Sequence, residues 1–241
     1  MIDPRLSVID ERLGRVKKII AVASGKGGVG KSLIASTLAL ILSERGFRTG
    51  LMDLDFTNPS THLILGAESA YPLEDKGVVP PKIRGVSYAS ISFFTGGKPS
   101  PLRGEDVTNA FIEILALTRW GDLDYLVIDT PPGMGDALLD LLRLIRRVGF
   151  LVVSTPSRLS LETIRKLIEI LRGVQAKVVG VVENMASGEM KSIKREVEEL
   201  GETYLGSISF DPEVEEAIGS PDKLLKTRFA EDLRKVGDKL V

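Results

Sequence analysis

One loop constrains this chain more than any other stretch. Residues 24–32 read SGKGGVGKS, between an apolar, β-branched run, VKKIIAVAS (16–24), and a long helical run, SLIASTLALILSERG (32–46). The first run has the length and composition of a buried strand, and the second ends at Gly46 as helices do. Glycines at 25, 27, 28 and 30 let successive backbone N–H groups converge on one point. A helix opening directly after them adds its partial positive charge. Gly25 to Ser32 fits G-x-x-x-x-G-K-[ST], the phosphate-binding loop, in the strand-to-helix context that the motif requires. On this reading Gly25, Lys26, Gly27, Gly28, Val29, Gly30, Lys31, Ser32 and Leu33 form the nucleotide-binding segment. Lys31 would reach the β- and γ-phosphates of a nucleotide, and the Ser32 hydroxyl would bind Mg²⁺.

The remaining elements repeat strand then helix. RTGLMDLD (48–55) reads as a second strand, and 57–85 as a Pro- and Gly-rich excursion with one short helix. VSYASISFF (86–94) reads as a strand, TGGKPSPLRGED (95–106) as a loop and 105–119 as a helix. Then strands at 124–130, 149–155, 176–184 and 203–209 alternate with helices at 136–147, 160–173 and 189–201. Helical pieces at 212–218 and 227–240 finish the chain. Near-continuous apolar strands alternating with amphipathic helices predict an α/β fold: a mostly parallel sheet flanked by helices on both faces. Residues 1–241 read as one domain, with a lead-in helix within 1–15 (4–13) and a C-terminal helix within 222–241.

Composition narrows the function. Hydrophobic residues make up 43% and charged residues 27%, an ordinary globular balance with a formal net charge of -1. No global basic field draws such a chain to nucleic acid or to an anionic membrane. There is no cysteine, and His62 is the only histidine. These residues therefore supply no disulfide, no thiolate metal site and no cysteine-held iron–sulfur cluster. No apolar run reaches the about 18 residues that a membrane span needs, and the N-terminus lacks a signal-peptide core. The expected compartment is the cytoplasm.

Carboxylates complete the loop's chemistry. Asp53 and Asp55 stand at the carboxyl end of the second strand, the edge where open parallel sheets bind ligands. Two apart in a strand, they would share a face, although the strand's end leaves Asp55 free to turn. YLVID (125–129) puts Asp129 after four apolar residues, as a carboxylate for the Mg²⁺ hydration shell. Thr130 to Gly135 (TPPGMG) cannot continue a strand or a helix, and Asp136 is a candidate helix N-cap.

With these motifs placed, the resemblance is specific. KGGVGKS resembles the deviant Walker A sequence, K-G-G-x-G-K-[ST], of the MinD/ParA/Mrp group of P-loop ATPases. What the resemblance implies for Lys26 is a catalytic role in trans, on the phosphates of the facing subunit. For Asp55 it implies positioning of the attacking water and the Mg²⁺ shell, and for Asp53 support of that loop. DFTNPS, DTPPGMGD, PLRGEDV, VVSTPS, GVVENM and LGSISFDPEVEEA resemble, in order, segments of the Mrp/ApbC family. Asn58 stands where that family has glycine, and Met134 where it has threonine. The same resemblance implies that Asn184 reads the adenine edge and that Asp211 and Pro212 close the adenine pocket.

The chain departs from the family at ENMASGEMKSIKRE (183–196), where cluster-carrying members have a C-P-x-C-like pair. The expectation is a Mg-ATP-dependent ATPase of the Mrp/ApbC type, slow without a partner. It would act in iron–sulfur assembly without binding a cluster by itself. It would dimerise around nucleotide, with itself or with a cysteine-bearing relative, and serve a client that the sequence does not name. The alternative is a MinD/ParA-like regulatory switch acting on membrane or partner proteins. Its membrane element would be the C-terminal helix, with Phe229, Leu233, Val236 and Leu240 at helical spacing.

Overall fold

The computed structural model describes residues 3–95, 105–187 and 192–241, with the backbone only of Phe94, Thr95 and Asp136. The expected loop at 95–106 and the cysteine-replacing stretch lie partly outside the described residues. In chain order the first half runs α1 (Arg5–Gly14), β1 (Val16–Ser24), α2 (Lys31–Glu44), β2 (Thr49–Asp53), α3 (Thr61–Leu65), β3 (Leu73–Glu74), β4 (Val78–Val79), β5 (Lys82–Ile83), β6 (Val86–Ser90) and α4 (Ser92–Thr95). The second half runs α5 (Glu105–Leu117), β7 (Leu123–Asp129), α6 (Asp136–Leu144), β8 (Val148–Ser154), α7 (Arg158–Gly173), β9 (Lys177–Ala186), α8 (Lys194–Glu199), β10 (Tyr204–Ser209), α9 (Glu213–Ala217), α10 (Pro221–Leu224) and α11 (Arg228–Gly237).

Eight strands form one sheet in the order β10-β9-β8-β1-β7-β2-β6-β5. Each neighbouring pair is parallel except β5–β6, so the expected α/β architecture is present. Strand β1 lies centrally, between β7 and β8. Its period-2 alternation feeds two apolar layers. Ile19, Ala21 and Ala23 face the layer under α1, α5, α6, α7 and α8. Ile20 and Val22 face the layer under α2, α3, α9, α10 and α11. Helix α2 is apolar nearly all round because it is enclosed, with Ile34 to Leu42 buried between the sheet and α11.

Several boundaries differ from the sequence reading. Strand β2 stops at Asp53 rather than 55, because the Asp53 Oδ1 accepts the Asp55 N–H at 3.0 Å and turns the chain out of the ladder. Strand β6 stops at Ser90, where the Ser90 hydroxyl accepts the Ser92 N–H at 3.1 Å and α4 begins. The 57–85 excursion holds α3 and also the short strands β3, β4 and β5. Helix α6 ends at Leu144, and the extended Gly135, not Asp136, takes its N-cap position. The helix expected at 227–240 is α11, which ends at Gly237, and a further short helix, α10, precedes it across Leu225–Thr227.

Candidate nucleotide site

Parallel strands place their carboxyl ends together, and this brings the predicted residues to one edge. Asp53 pairs in register with Asp129, and Asp129 with Val22, two residues before the phosphate loop. Helix α2 opens straight from the loop with Gly30 in the left-handed region at φ +84°. No side chain caps α2. Its first N–H groups are thus left for an anion. Gly25 is required for another reason: a Cβ there would stand 2.7 Å from the Thr163 backbone, so α7 packs against the loop only because residue 25 has none.

The centre of the site is a buried ion pair. Lys31 Nζ donates to Asp129 Oδ1 at 2.5 Å, with side chains 6% and 0% exposed. Burial raises the Asp129 pKa and Lys31 opposes that shift; the Ser32 hydroxyl stands beside the same carboxylate. The other oxygen, Asp129 Oδ2, is buried with no hydrogen-bond partner among the described residues. A buried carboxylate oxygen without a donor is a costly arrangement, and it suits a hydrated cation. With the Ser32 hydroxyl next to it, this donor set fits Mg²⁺, a hard ion that takes oxygen ligands and keeps several waters.

Asp55 lies beyond the strand, in the turn that follows it. Its Oδ1 accepts the N–H groups of Thr57 and Asn58 at 3.2 and 3.1 Å. Asp53 stays in the strand and holds the loop from beneath. Its Oδ1 takes the Asp55 N–H, and its Oδ2 takes the Thr61 N–H and the Thr61 hydroxyl at 3.2 and 2.6 Å. Thr61 continues to the Tyr88 hydroxyl at 2.9 Å. Burial, and then the charge of Asp129, raise the Asp53 pKa to about 7.

Gly27 to Leu33, Asp55, Thr57, Asn58, Ser60, Ile64 and Pro132 line a cavity of about 350 Å³ with Ser24. Gly25 and Lys26 do not line it. Lys26 is half-buried, its carbonyl accepts the Ser24 hydroxyl at 2.9 Å, and its ammonium has no ion pair among the described residues. Thr130 and Gly133 tie the following loop to β1 through the carbonyls of Val22 and Ser24.

A second cavity, of about 220 Å³, shares Leu33 with the first and brings together Asn184, Asp211 and Pro212. Their hydrogen bonds differ from the expected reading. The Asn184 amide nitrogen donates to the Val29 carbonyl of the phosphate loop at 2.8 Å. Both Asp211 oxygens are taken, by the N–H groups of Glu213 and Phe229 at 3.0 Å each, so this carboxylate braces α9 and α11. The sequence reading missed Phe210, an aromatic ring 64% exposed in the same cavity. Its signal was an aromatic placed directly before Asp211-Pro212. Thr57, Ser60 and Pro132 lie within the DFTNPS and DTPPGMGD segments but were not among the predicted site residues.

Residues 15–240 match the ParA-type family described as NUBPL iron-transfer P-loop NTPase. The chain belongs to that family. An iron-sulfur cluster carrier protein of Pseudomonas fragi is 46% identical over 178 residues, 72% of this chain and 62% of the relative. A similarly named protein of Aquifex aeolicus is 39% identical over 83% of this chain and 60% of its own length. The chain thus spans about three fifths of these relatives. A cytosolic Fe-S cluster assembly factor, Nubp2 homolog 2 of Drosophila yakuba, is 34% identical over 95% and 97% of the two chains. Among solved structures, a nucleotide-binding protein of Archaeoglobus fulgidus in complex with ADP superposes with a TM-score of 0.77. It is 30% identical and covers 91% of this chain and 92% of that one. The cell division ATPase MinD of Pyrococcus furiosus has a TM-score of 0.71 at 21% identity, a likeness of fold.

Proposed function

We propose that this P-loop NTPase is a Mg-ATP-dependent ATPase that closes two subunits over nucleotide and serves iron–sulfur cluster assembly. The observation that carries the nucleotide half is the Lys31–Asp129 pair with its unpartnered Oδ2, set at an uncapped helix N-terminus. Phosphate oxygens would draw the Lys31 ammonium from Asp129 and accept the free N–H groups of α2. Ser32, Asp129 and Asp55 would hold Mg²⁺ directly or through its waters; when bound, the ion neutralises charge on the β- and γ-phosphates. Asp55, turned out of the strand and braced by Asp53, orients water. Phosphoryl transfer needs little covalent help from protein, so this positioning and charge would carry the catalysis.

Lys26 does not line its own subunit's cavity, and that supports its use on a facing subunit. A site completed in this way turns over slowly until a partner or second copy arrives. Adenine would lie against Phe210 and Pro212, with the Asn184 amide carbonyl facing its edge. The iron–sulfur half rests on the relatives' names. These 241 residues contain no cysteine, so any thiolates for the cargo would come from a cysteine-bearing relative or a client. We infer the cytoplasm as compartment, supported by the Nubp2-type relative named cytosolic.

The MinD/ParA-like alternative has less to work with. Among the described residues no helix is long and apolar enough to cross a membrane. The apolar face of α11 is already used, with Phe229, Leu233 and Val236 at 2%, 0% and 1% exposure against the domain.

The test is Lys31→Ala, assayed by equilibrium binding of a fluorescent ATP analogue and by phosphate release. Removing a charge-assisted contact costs about 1.5–3 kcal/mol, so binding should weaken at least about tenfold. Binding and hydrolysis like the unaltered protein would sink the nucleotide reading.

A further inference from the structure

A cavity of about 790 Å³, more than twice the phosphate cavity, opens at the other edge of the sheet. It lies where β8 and β9 begin, at Val148 and Lys177, between the C-terminal end of α6 and the turn after α7. Aliphatic side chains line it, and two of them, Leu139 and Val174, are 38% and 49% exposed. Four cations surround it: Arg143, Arg146, Arg147 and Lys177, with no acidic residue in the lining among the described residues. For a chain with net charge -1 this is a concentrated field.

Little among the described residues neutralises it. Arg143 reaches Asp140 only at 4.0 Å and its side chain is 82% exposed. Arg147 donates to the Leu13 carbonyl at 3.3 Å. Arg146 and Lys177 have no acidic partner among the described residues. Unpaired cations around an exposed apolar floor gain little from folding, and they fit a ligand with the opposite charge and its own apolar groups.

We propose that this cleft docks an acidic segment of a partner protein, one that carries leucine-sized side chains between its carboxylates. The form of the cleft selects that occupant. Nucleic acid would use the cations, but the described lining residues offer no aromatic ring for a base to stack on, and phosphates have no use for an apolar floor. A bilayer surface is broad, whereas this floor lies in a recess that a side chain can enter. The cleft stands at the far ends of α6 and α7. Helix α6 follows the loop of Pro132, and α7 meets Gly25 through Thr163, so an occupant leaves the nucleotide edge open.

The inference stands apart from the nucleotide reading, because binding is measured without ATP. The probe is a short fluorescein-labelled peptide of glutamate and leucine, followed by anisotropy at low and physiological salt. A lysine–leucine peptide, a glutamate–serine peptide, duplex DNA and phosphatidylserine vesicles serve as comparisons. The glutamate–leucine peptide should bind most tightly, and less so at higher salt. Arg146→Glu with Lys177→Glu should weaken it about tenfold or more, since both attractions become repulsions. Leu139→Ser with Val174→Ser should weaken it several-fold, with circular dichroism unchanged. If the glutamate variant alters folding, Arg146→Gln with Lys177→Gln replaces it, with a smaller loss expected. Equal affinity in either class of variant, or tighter binding of the DNA or vesicles than of the peptide, would overturn the proposal.

Discussion

Replacing Gly30 by alanine should cost more than backbone strain alone. Gly30 sits at φ +84°, where an L side chain costs about 1–2 kcal/mol. A methyl group there would also collide with the Asn184 amide nitrogen. That nitrogen donates to the Val29 carbonyl at 2.8 Å, and Asn184 is 2% exposed, so it has no route to water. Losing a buried hydrogen bond and leaving its groups unpaired costs about 1–3 kcal/mol. The two costs sum to about 2–5 kcal/mol, which for a domain of this size lowers the melting midpoint by roughly 5–20 °C. A double-mutant cycle separates them. In an Asn184→Ala background the collision is gone, so Gly30→Ala should cost only the conformational part, leaving a coupling of about 1–3 kcal/mol. Guanidinium unfolding followed by circular dichroism, without nucleotide, gives all four corners. Costs that add to within about 0.5 kcal/mol would refute the claim that Asn184 clamps the phosphate loop.

Asp53 gives a pH prediction. Its pKa rises from 3.8 to about 7 on folding, so the folded state favours the neutral form. Its contribution is therefore intact below about pH 4 and lost as pH rises through about 7, by up to about 4 kcal/mol. Asp53→Asn removes that titration, so its stability relative to the parent should improve from pH 4 to pH 8 in urea unfolding; a pH-independent difference contradicts the assignment. Anaerobic incubation of this chain alone with iron and sulfide should give no cluster absorbance in the visible spectrum, and a stable band would overturn the reading of the missing cysteines.

The phosphate loop was legible because glycine spacing and a following helix serve one purpose. Asp129 was legible because the apolar run before it reads as a buried strand, which puts the carboxylate at the strand's end. Asp55 was half legible: strand alternation gave it the face of Asp53, but a side-chain-to-backbone bond from Asp53 ends the strand first. Asn184 was placed beside the nucleotide, yet its partner Val29 lies 155 residues away, beyond any local pattern. The basic cleft was invisible for the same reason, since Arg146 and Lys177 come from different βα units that meet only in the sheet. Local rules named the elements; register decided which side chains meet.

Complementation between two inactive variants tests the central claim most directly. Lys26→Ala and Asp55→Ala should each bind ATP and hydrolyse it poorly. If Lys26 acts across the dimer, a mixed pair has one complete site: Asp55 from one subunit and Lys26 from the other. An equimolar mixture assorts so that half the dimers are mixed, and hydrolysis should return to about a quarter of the parent rate. A mixture no more active than the sum of its parts would contradict a site shared between two subunits.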